Sequence, residues 1–224
     1  MNACEMSAIR LALADARSPC IVELGACTGE DSPNFESLIR PGETLHHVMV
    51  EPDPRNVQHI LDNCGPTAFA GKAPRPLQRV PRRRLILGAV ARESGFRQFH
   101  FSEHPTDGHV SGSLLEPTGH LEHVPATSFP HVGMVQCWTL DQIFQREYLK
   151  KIDLLWVDIQ GAESEMIAGG KNALAHTRYC FMEAETVELY RGEALKPDLI
   201  ALLPGWKLTD DFGYNILLRN ERFA

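Results

Sequence analysis

Apolar positions along this chain fall into two recurring patterns, short solid runs and stripes at helical spacing, and their alternation predicts strands interleaved with helices. Met6, Ile9 and Leu13 recur every three to four residues and predict an amphipathic helix over about 5–16. After Ser18-Pro19, the run Cys20-Ile21-Val22-Glu23-Leu24 is short and mostly apolar and stops at Gly25, as a buried strand does. Ser32-Pro33 offers a cap and then a proline suited to a first helical position. Phe35, Leu38 and Ile39 give that helix its inner face before Pro41-Gly42 ends it. His47 to Val50 reads as a second strand, and Val57, Ile60, Leu61 and Cys64 as the next helical stripe. Residues 65–83 hold prolines and basic side chains and read as loop, and Leu85 to Val90 reads as a third strand.

Phe99 and Phe101 alternate with Gln98 and His100, the period of a half-exposed strand. Residues 102–133 have no clear period and read as an irregular insert, a candidate lid or acceptor site. Order returns at Thr139-Leu140-Asp141-Gln142, a capping box that opens a helix. Ile152 to Val157 is a fourth strand, followed by Ala162, Met166, Ile167, Gly170 and Leu174 at helical spacing. Tyr179 to Met182 is a fifth strand, and Leu199 to Leu203 closes another helix. Trp206 to Thr209 and Asn215 to Arg219 suggest a terminal antiparallel pair.

Strands separated by helices require crossovers, so the expected fold class is α/β, with a mostly parallel sheet covered on both faces. Residues 1–224 read as a single domain without internal repeats. Ligands of such sheets bind beyond the carboxyl ends of the strands. That rule selects Glu23 to Gly29, Glu51 to Asp53, Ala89 to Glu93, Asp158 to Glu163 and Glu183 to Glu185.

Composition narrows the function classes. A formal net charge of -7 weighs against a general partner among nucleic acids or anionic membranes, which need clustered positive charge. Lys72, Arg75, Arg79, Arg82, Arg83 and Arg84 form the one basic patch, and without interleaved aromatics it reads as a solvated loop. No apolar run approaches the roughly 20 residues of a membrane span, and Met1 to Leu13 lacks a secretory core. The six cysteines are scattered without metal-ligand spacing. A cytoplasmic protein with reduced thiols is the expectation. His100, His104, His109, His120, His123 and His131 crowd one segment, yet no acid or cysteine stands at a ligand interval, so they read as loop histidines.

Three segments carry chemistry. Glu23-Leu24-Gly25-Ala26-Cys27-Thr28-Gly29 ends a strand with an acid and turns through GxxxG into a helix. Its glycines admit a ligand close to the backbone, and a carboxylate there would repel a pyrophosphate but could hold a cationic amino group. In Val50-Glu51-Pro52-Asp53-Pro54, Glu51 stands where an acid can accept two ribose hydroxyls. Ile152-Asp153-Leu154-Leu155-Trp156-Val157-Asp158-Ile159-Gln160-Gly161-Ala162-Glu163 then places an acid and a glycine at the end of the fourth strand.

These motifs, in this order, with Leu140-Asp141 and the late segments Glu188-Leu189-Tyr190-Arg191-Gly192 and Leu203-Pro204-Gly205, resemble the FkbM family of methyltransferases over about residues 20–220. The resemblance implies a Rossmann-like class I methyltransferase fold. It also implies S-adenosylmethionine as cofactor and O-methylation of a sugar, glycan or natural-product hydroxyl. Carried over by motif, Glu23, Gly25, Ala26 and Gly29 would line the methionine end, with Glu51 and its neighbour Pro52 at the ribose. Ala89 and Val90 would approach the adenine, and Asp158 would face the transferring methyl group. Ser111 and Ser113 resemble a family serine motif and could touch donor or acceptor. Asp158 is either a general base or a carboxylate that holds a loop or the donor's amino group.

The chain departs from the family pattern at Cys27, where asparagine is frequent, at Trp156, where lysine is common, and at Gln160, where glutamate is common. Those replacements keep a catalytically inactive binding domain open as an alternative. A nicotinamide-dependent oxidoreductase is a more distant one, disfavoured by the missing GxGxxG. Asp158, Glu163, Glu183 and Glu185 are oxygen ligands of the type Mg²⁺ prefers, but an acid cluster at a sheet edge is common without metal, so no metal ligand is assigned.

Overall fold

The computed structural model describes residues 1–64 and 82–223. Its centre is a seven-stranded sheet ordered β3-β2-β1-β7-β8-β10-β9. The strands are β1 (Cys20–Leu24), β2 (His46–Glu51), β3 (Arg82–Leu87), β7 (Ile152–Val157), β8 (Thr177–Glu183), β9 (Trp206–Asp211) and β10 (Asn215–Asn220). The first five are parallel to one another, and β10 runs antiparallel to both β8 and β9. The architecture is α/β and Rossmann-like, with a terminal antiparallel pair at one edge.

Helices cover both faces. On one face α5 (Leu140–Arg146), α6 (Glu163–Gly169), α7 (Lys171–Ala175) and α8 (Lys196–Ala201) pack over Val22, Leu24, Val48, Val50, Leu155 and Met182. On the other, α1 (Ala3–Ala12) and α2 (Ser32–Ser37) pack over Ile21, Leu154, Trp156, Phe181 and Leu217. Beside them α3 (Val57–Cys64) brings Ile60 against Met49 and Ala26. Adjacent strand residues therefore serve opposite layers, and all five residues of β1 are buried.

Several boundaries differ from the sequence reading. The first helix is Ala3–Ala12 and starts at Asn2, whose side chain accepts the Cys4 and Glu5 N–H groups. The loop expected over 65–83 ends earlier, because β3 begins at Arg82 and pairs along β2; residues 65–81, with Lys72, Arg75 and Arg79, lie outside the described residues. Arg83 is buried rather than solvated: it donates to the Cys64 carbonyl at 2.9 Å and pairs with Glu36. The third strand is broken at Gly88, and Ala89–Val90 forms β4 of a second sheet ordered β4-β6-β5. A Cβ at Gly88 would lie 2.6 Å from the Gln136 carbonyl oxygen, so only glycine lets the two sheets pass at this distance.

The second sheet also revises the irregular insert. β5 (Gly95–Glu103) pairs antiparallel with β6 (Ser128–Trp138), so strand structure starts at Ser128, inside the stretch read as aperiodic. Between these strands, α4 spans His120–His123. The single stripe from Ala162 to Leu174 is two helices, α6 and α7, divided at Gly170. Among the described residues no helix is long and apolar enough to cross a membrane.

Candidate active site

The parallel strands end together on one side of the sheet, and there the backbone is drawn tight. Gly25 and Ala26 both donate to the Val50 carbonyl, at 2.9 and 3.0 Å, while Asp158 N–H donates to the Leu24 carbonyl at 3.0 Å. Gly25 has φ +81°, and a Cβ on it would sit 1.7 Å from the Asp158 carbonyl oxygen. No other residue fits this turn. Cys27 follows in the same left-handed region at φ +47°.

A cavity opens over these strand ends. Its empty space, counted with the open solvent at its mouth, is about 570 Å³. Gly25, Cys27, Glu51, Asp53 and Asp158 form its polar floor, with Ala89, Val90 and Ile159 beside them. Phe99, His109, Gly112 and Leu114 reach it from the second sheet and the segment after it.

Glu51 is almost fully buried, and three protein donors converge on it. Its Oε2 accepts the Cys27 N–H at 2.8 Å, and its Oε1 accepts the Asp53 N–H at 2.8 Å and the Asn56 amide at 3.2 Å. Burial pushes its pKa up to about 8 even so. Burial likewise drives the Cys27 thiol up to about 12, with help from Glu51 and Asp158, so this cysteine is not a nucleophile.

Asp158, at the end of β7, belongs to a connected set. Gln160 Nε2 donates to Asp158 Oδ1 at 2.7 Å and to Glu183 Oε2 at 2.8 Å. The Tyr190 hydroxyl lies 2.8 Å from Gln160 Oε1 and 2.9 Å from the Ser111 carbonyl. Ser113 Oγ donates to the Gln160 carbonyl at 2.6 Å. Burial raises the pKa of both Asp158 and Glu183, Glu183 well above its ordinary value because Asp158 and Glu163 add negative charge beside it. Of the two, Glu183 is displaced further toward its neutral form. Glu163, whose Oε1 accepts the Ile159 N–H at 3.3 Å, is itself pushed up to about 8 by burial.

Of the residues selected from sequence, Gly25, Glu51, Pro52, Ala89, Val90 and Asp158 line the cavity. Four do not. Glu23 is a correction: it lies under the turn with its Oε2 2.8 Å from His47 Nε2, in a layer with Phe35, and does not reach the cavity. Ala26 packs on Met49 and Ile60. Gly29 turns the chain at φ +74°, with α3 rather than the cavity next to it. Ser113 is fully buried and holds Gln160. Asp53, within the span selected at the end of the second strand, lies on the cavity wall; His109, read as a loop histidine, also lies there, and the sequence gives no sign of the Gln160–Tyr190 link. The His109 ring donates from Nδ1 to the Ser102 carbonyl at 3.1 Å, which fixes its tautomer. His120 is buried against Phe129 and Tyr190. Among the described residues no group of three or more His, Cys, Asp or Glu is arranged to hold a metal ion.

Comparison with known proteins assigns the chain to a family. Residues 23–216 match the methyltransferase FkbM domain. The chain belongs to the FkbM methyltransferase family. It is 32% identical over 219 residues to the 2-O-methyltransferase NoeI of Sinorhizobium fredii (strain NBRC 101917 / NGR234), covering 95% of this chain and 84% of that protein. Among solved structures it is similar to methyltransferase FkbM from Methylobacillus flagellatus KT, with a TM-score of 0.54 and 14% identity. That match covers 90% of this chain but 43% of the other, so the chain spans less than half of that structure. A methyltransferase from Geobacter sulfurreducens matches with a TM-score of 0.50 and 14% identity, over 98% of this chain and 79% of that one. At these identities the structures show the shared class I methyltransferase fold, and the FkbM domain match shows the enzyme class.

Proposed function

We propose that this methyltransferase uses S-adenosylmethionine to methylate a hydroxyl oxygen of a sugar, glycan or similar small molecule, and that Asp158 is its catalytic carboxylate. One observation carries the reading: Asp158 lines the cavity with Glu163 and Glu183 close enough to act on it electrostatically, and among the described residues none of the three pairs with a lysine or arginine. Buried acids without a cationic partner are driven toward their neutral forms, and a bound cation would stabilise the ionised form of Asp158. The donor has two positive centres, its sulfonium and its ammonium, and so the residues present fit it. The name of the 2-O-methyltransferase relative supports oxygen as the acceptor atom.

When bound, S-adenosylmethionine supplies an electrophilic methyl group on sulfur, leaving S-adenosylhomocysteine once the acceptor oxygen has formed its bond to the methyl carbon. Gly25 would let the donor approach the strand ends, and Glu51, whose Oε2 takes a single protein donor, would accept a ribose hydroxyl there, with Pro52 beside it. Ala89 and Val90 form the apolar wall for the adenine. Asp158 takes the proton that the acceptor hydroxyl loses. Alignment of the reacting atoms supplies most of the rate, and the base adds about 10²-fold or more. Phe99, His109 and Leu114 close the cavity from the second sheet and its loops, and the segment 102–133 serves as the acceptor side.

Calorimetric titration with S-adenosylhomocysteine tests this reading, beside Glu51→Ala and Asp158→Asn and followed by a methyl-transfer screen over neutral sugars. Binding that is lost in Glu51→Ala, with turnover lost in Asp158→Asn, is the expected result. Failure of the unaltered chain to bind would overturn it.

A further inference from the structure

Gln160 stands where the family commonly has glutamate, and its surroundings give that difference a function. An ionised Asp158 can only accept, so the Gln160 atom 2.7 Å from its Oδ1 is the amide nitrogen, and Oε1 faces the Tyr190 hydroxyl at 2.8 Å. The two hydrogens of Nε2 are thereby directed at Asp158 and Glu183, at 2.7 and 2.8 Å. Gln160 holds this pose from a strained backbone, φ +54°, with its own carbonyl fixed by Ser113 Oγ. A glutamate could not donate to two acids at once and would add another carboxyl group beside them.

We infer that Gln160 is a positioning residue that keeps negative charge on the cavity-lining carboxylate of Asp158, and so sets the pH range over which this chain binds its cationic donor. The inference rests on the donor assignment above. The groups facing Asp158 are otherwise acidic: Glu183 from β8, Glu163 from α6, Glu30 and Asp31 after β1, and Glu185 and Glu193 beyond β8. Lys196 acts on Glu185 and pairs with Asp211. Against so much negative charge, the Gln160 amide is the larger of two side-chain contacts that favour an ionised Asp158, the other being the Glu183 carboxyl. Tyr190 acts one step further out by orienting that amide.

The experiment is titration of the full chain, Gln160→Glu and Tyr190→Phe with S-adenosylmethionine and S-adenosylhomocysteine across roughly pH 5 to 9. Loss of a charge-assisted hydrogen bond moves a pKa by about one unit. The acid-side fall in affinity is therefore expected about one pH unit higher in Gln160→Glu, with a smaller shift the same way in Tyr190→Phe. If Gln160→Glu does not fold, Tyr190→Phe decides the matter. A purely structural role would change thermal stability without moving the fall. An unmoved fall in variants that still bind would overturn the inference and leave the donor assignment standing. No binding by the unaltered chain would overturn both.

Discussion

Glu51, the last residue of β2, accepts the backbone N–H of Cys27 at 2.8 Å across 24 residues of sequence. That bond ties the acid at the end of β2 to the glycine turn after β1, so the two motifs act as one unit. Cys27 needs its left-handed φ of +47° to present the N–H, and its thiol has no part in the contact. Asparagine, frequent here in the family, adopts this backbone region more readily than cysteine.

Glu51→Gln keeps the shape but places an amide N–H₂ among three donors. One donor then loses its acceptor, at a cost of about 1–3 kcal/mol. Affinity for S-adenosylhomocysteine, measured by calorimetry, is expected to fall about tenfold or more. Unchanged affinity would remove Glu51 from the site.

Glu23 and His47 should behave differently from Glu51. Their side chains are buried 2.8 Å apart, away from the cavity. Glu23→Ala strands His47, whose Nδ1 already lacks a partner, and should lower stability by about 3 kcal/mol in urea unfolding. The folded variant should retain donor affinity far better than Glu51→Ala.

Gly25→Ala would force a Cβ into the Asp158 carbonyl, 1.7 Å away, from a φ of +81°. Displacement of β7's end should cost about 3 kcal/mol or more and weaken donor binding together with stability. Parallel calorimetry and thermal melts separate this outcome from a loss of affinity alone.

Trp156 occupies a position where the family commonly has lysine, and it lies in the layer remote from the cavity. It stacks on Phe181 at 4.2 Å between centroids and meets Phe35 edge-on at 5.4 Å. Trp156→Lys would bury an ammonium among aromatics and should destabilise the chain by about 3–5 kcal/mol. Residual activity per folded molecule should be near normal, which an activity assay normalised to a denaturation curve would show.

Glu163 makes stability depend on pH. Its pKa is about 8 in the folded chain against an ordinary 4.5, so the folded state holds a proton that the unfolded state releases. The resulting stability is complete below pH 4.5 and is lost as pH rises through 8. Glu163→Gln, which can still accept from Ile159, should raise the melting temperature at pH 8 and leave it unchanged near pH 4.5. Equal melting temperatures for both proteins at high pH would refute this.

Much of the cavity was legible because its residues sit at the ends of apolar runs. Glu51, Asp158, Ala89 and Val90 each follow or close such a run, and parallel sheets bind ligands there. Which way a side chain points was not legible in the same runs. β1 is buried on both faces, so its sequence lacks the alternation that would reveal phase, and a one-residue shift moves a side chain to the other layer. Glu23 was misread for this reason. The second sheet was hidden by Pro130 and Gly133 within β6 and by its half-exposed face.

The sequence by itself determined the order of strands and helices, the turn that only glycine can make at Gly25, and the family to which those motifs belong. These are local properties, set by apolar spacing and backbone sterics. Only the tertiary structure decided that Glu23 serves His47, that the second sheet closes over the cavity, and that Gln160 joins Asp158, Glu183 and Tyr190. Apart from Gln160–Asp158, those hydrogen bonds join residues 23 to 30 positions apart, and no local pattern encodes a partner that only the packing of the sheet brings within hydrogen-bond reach.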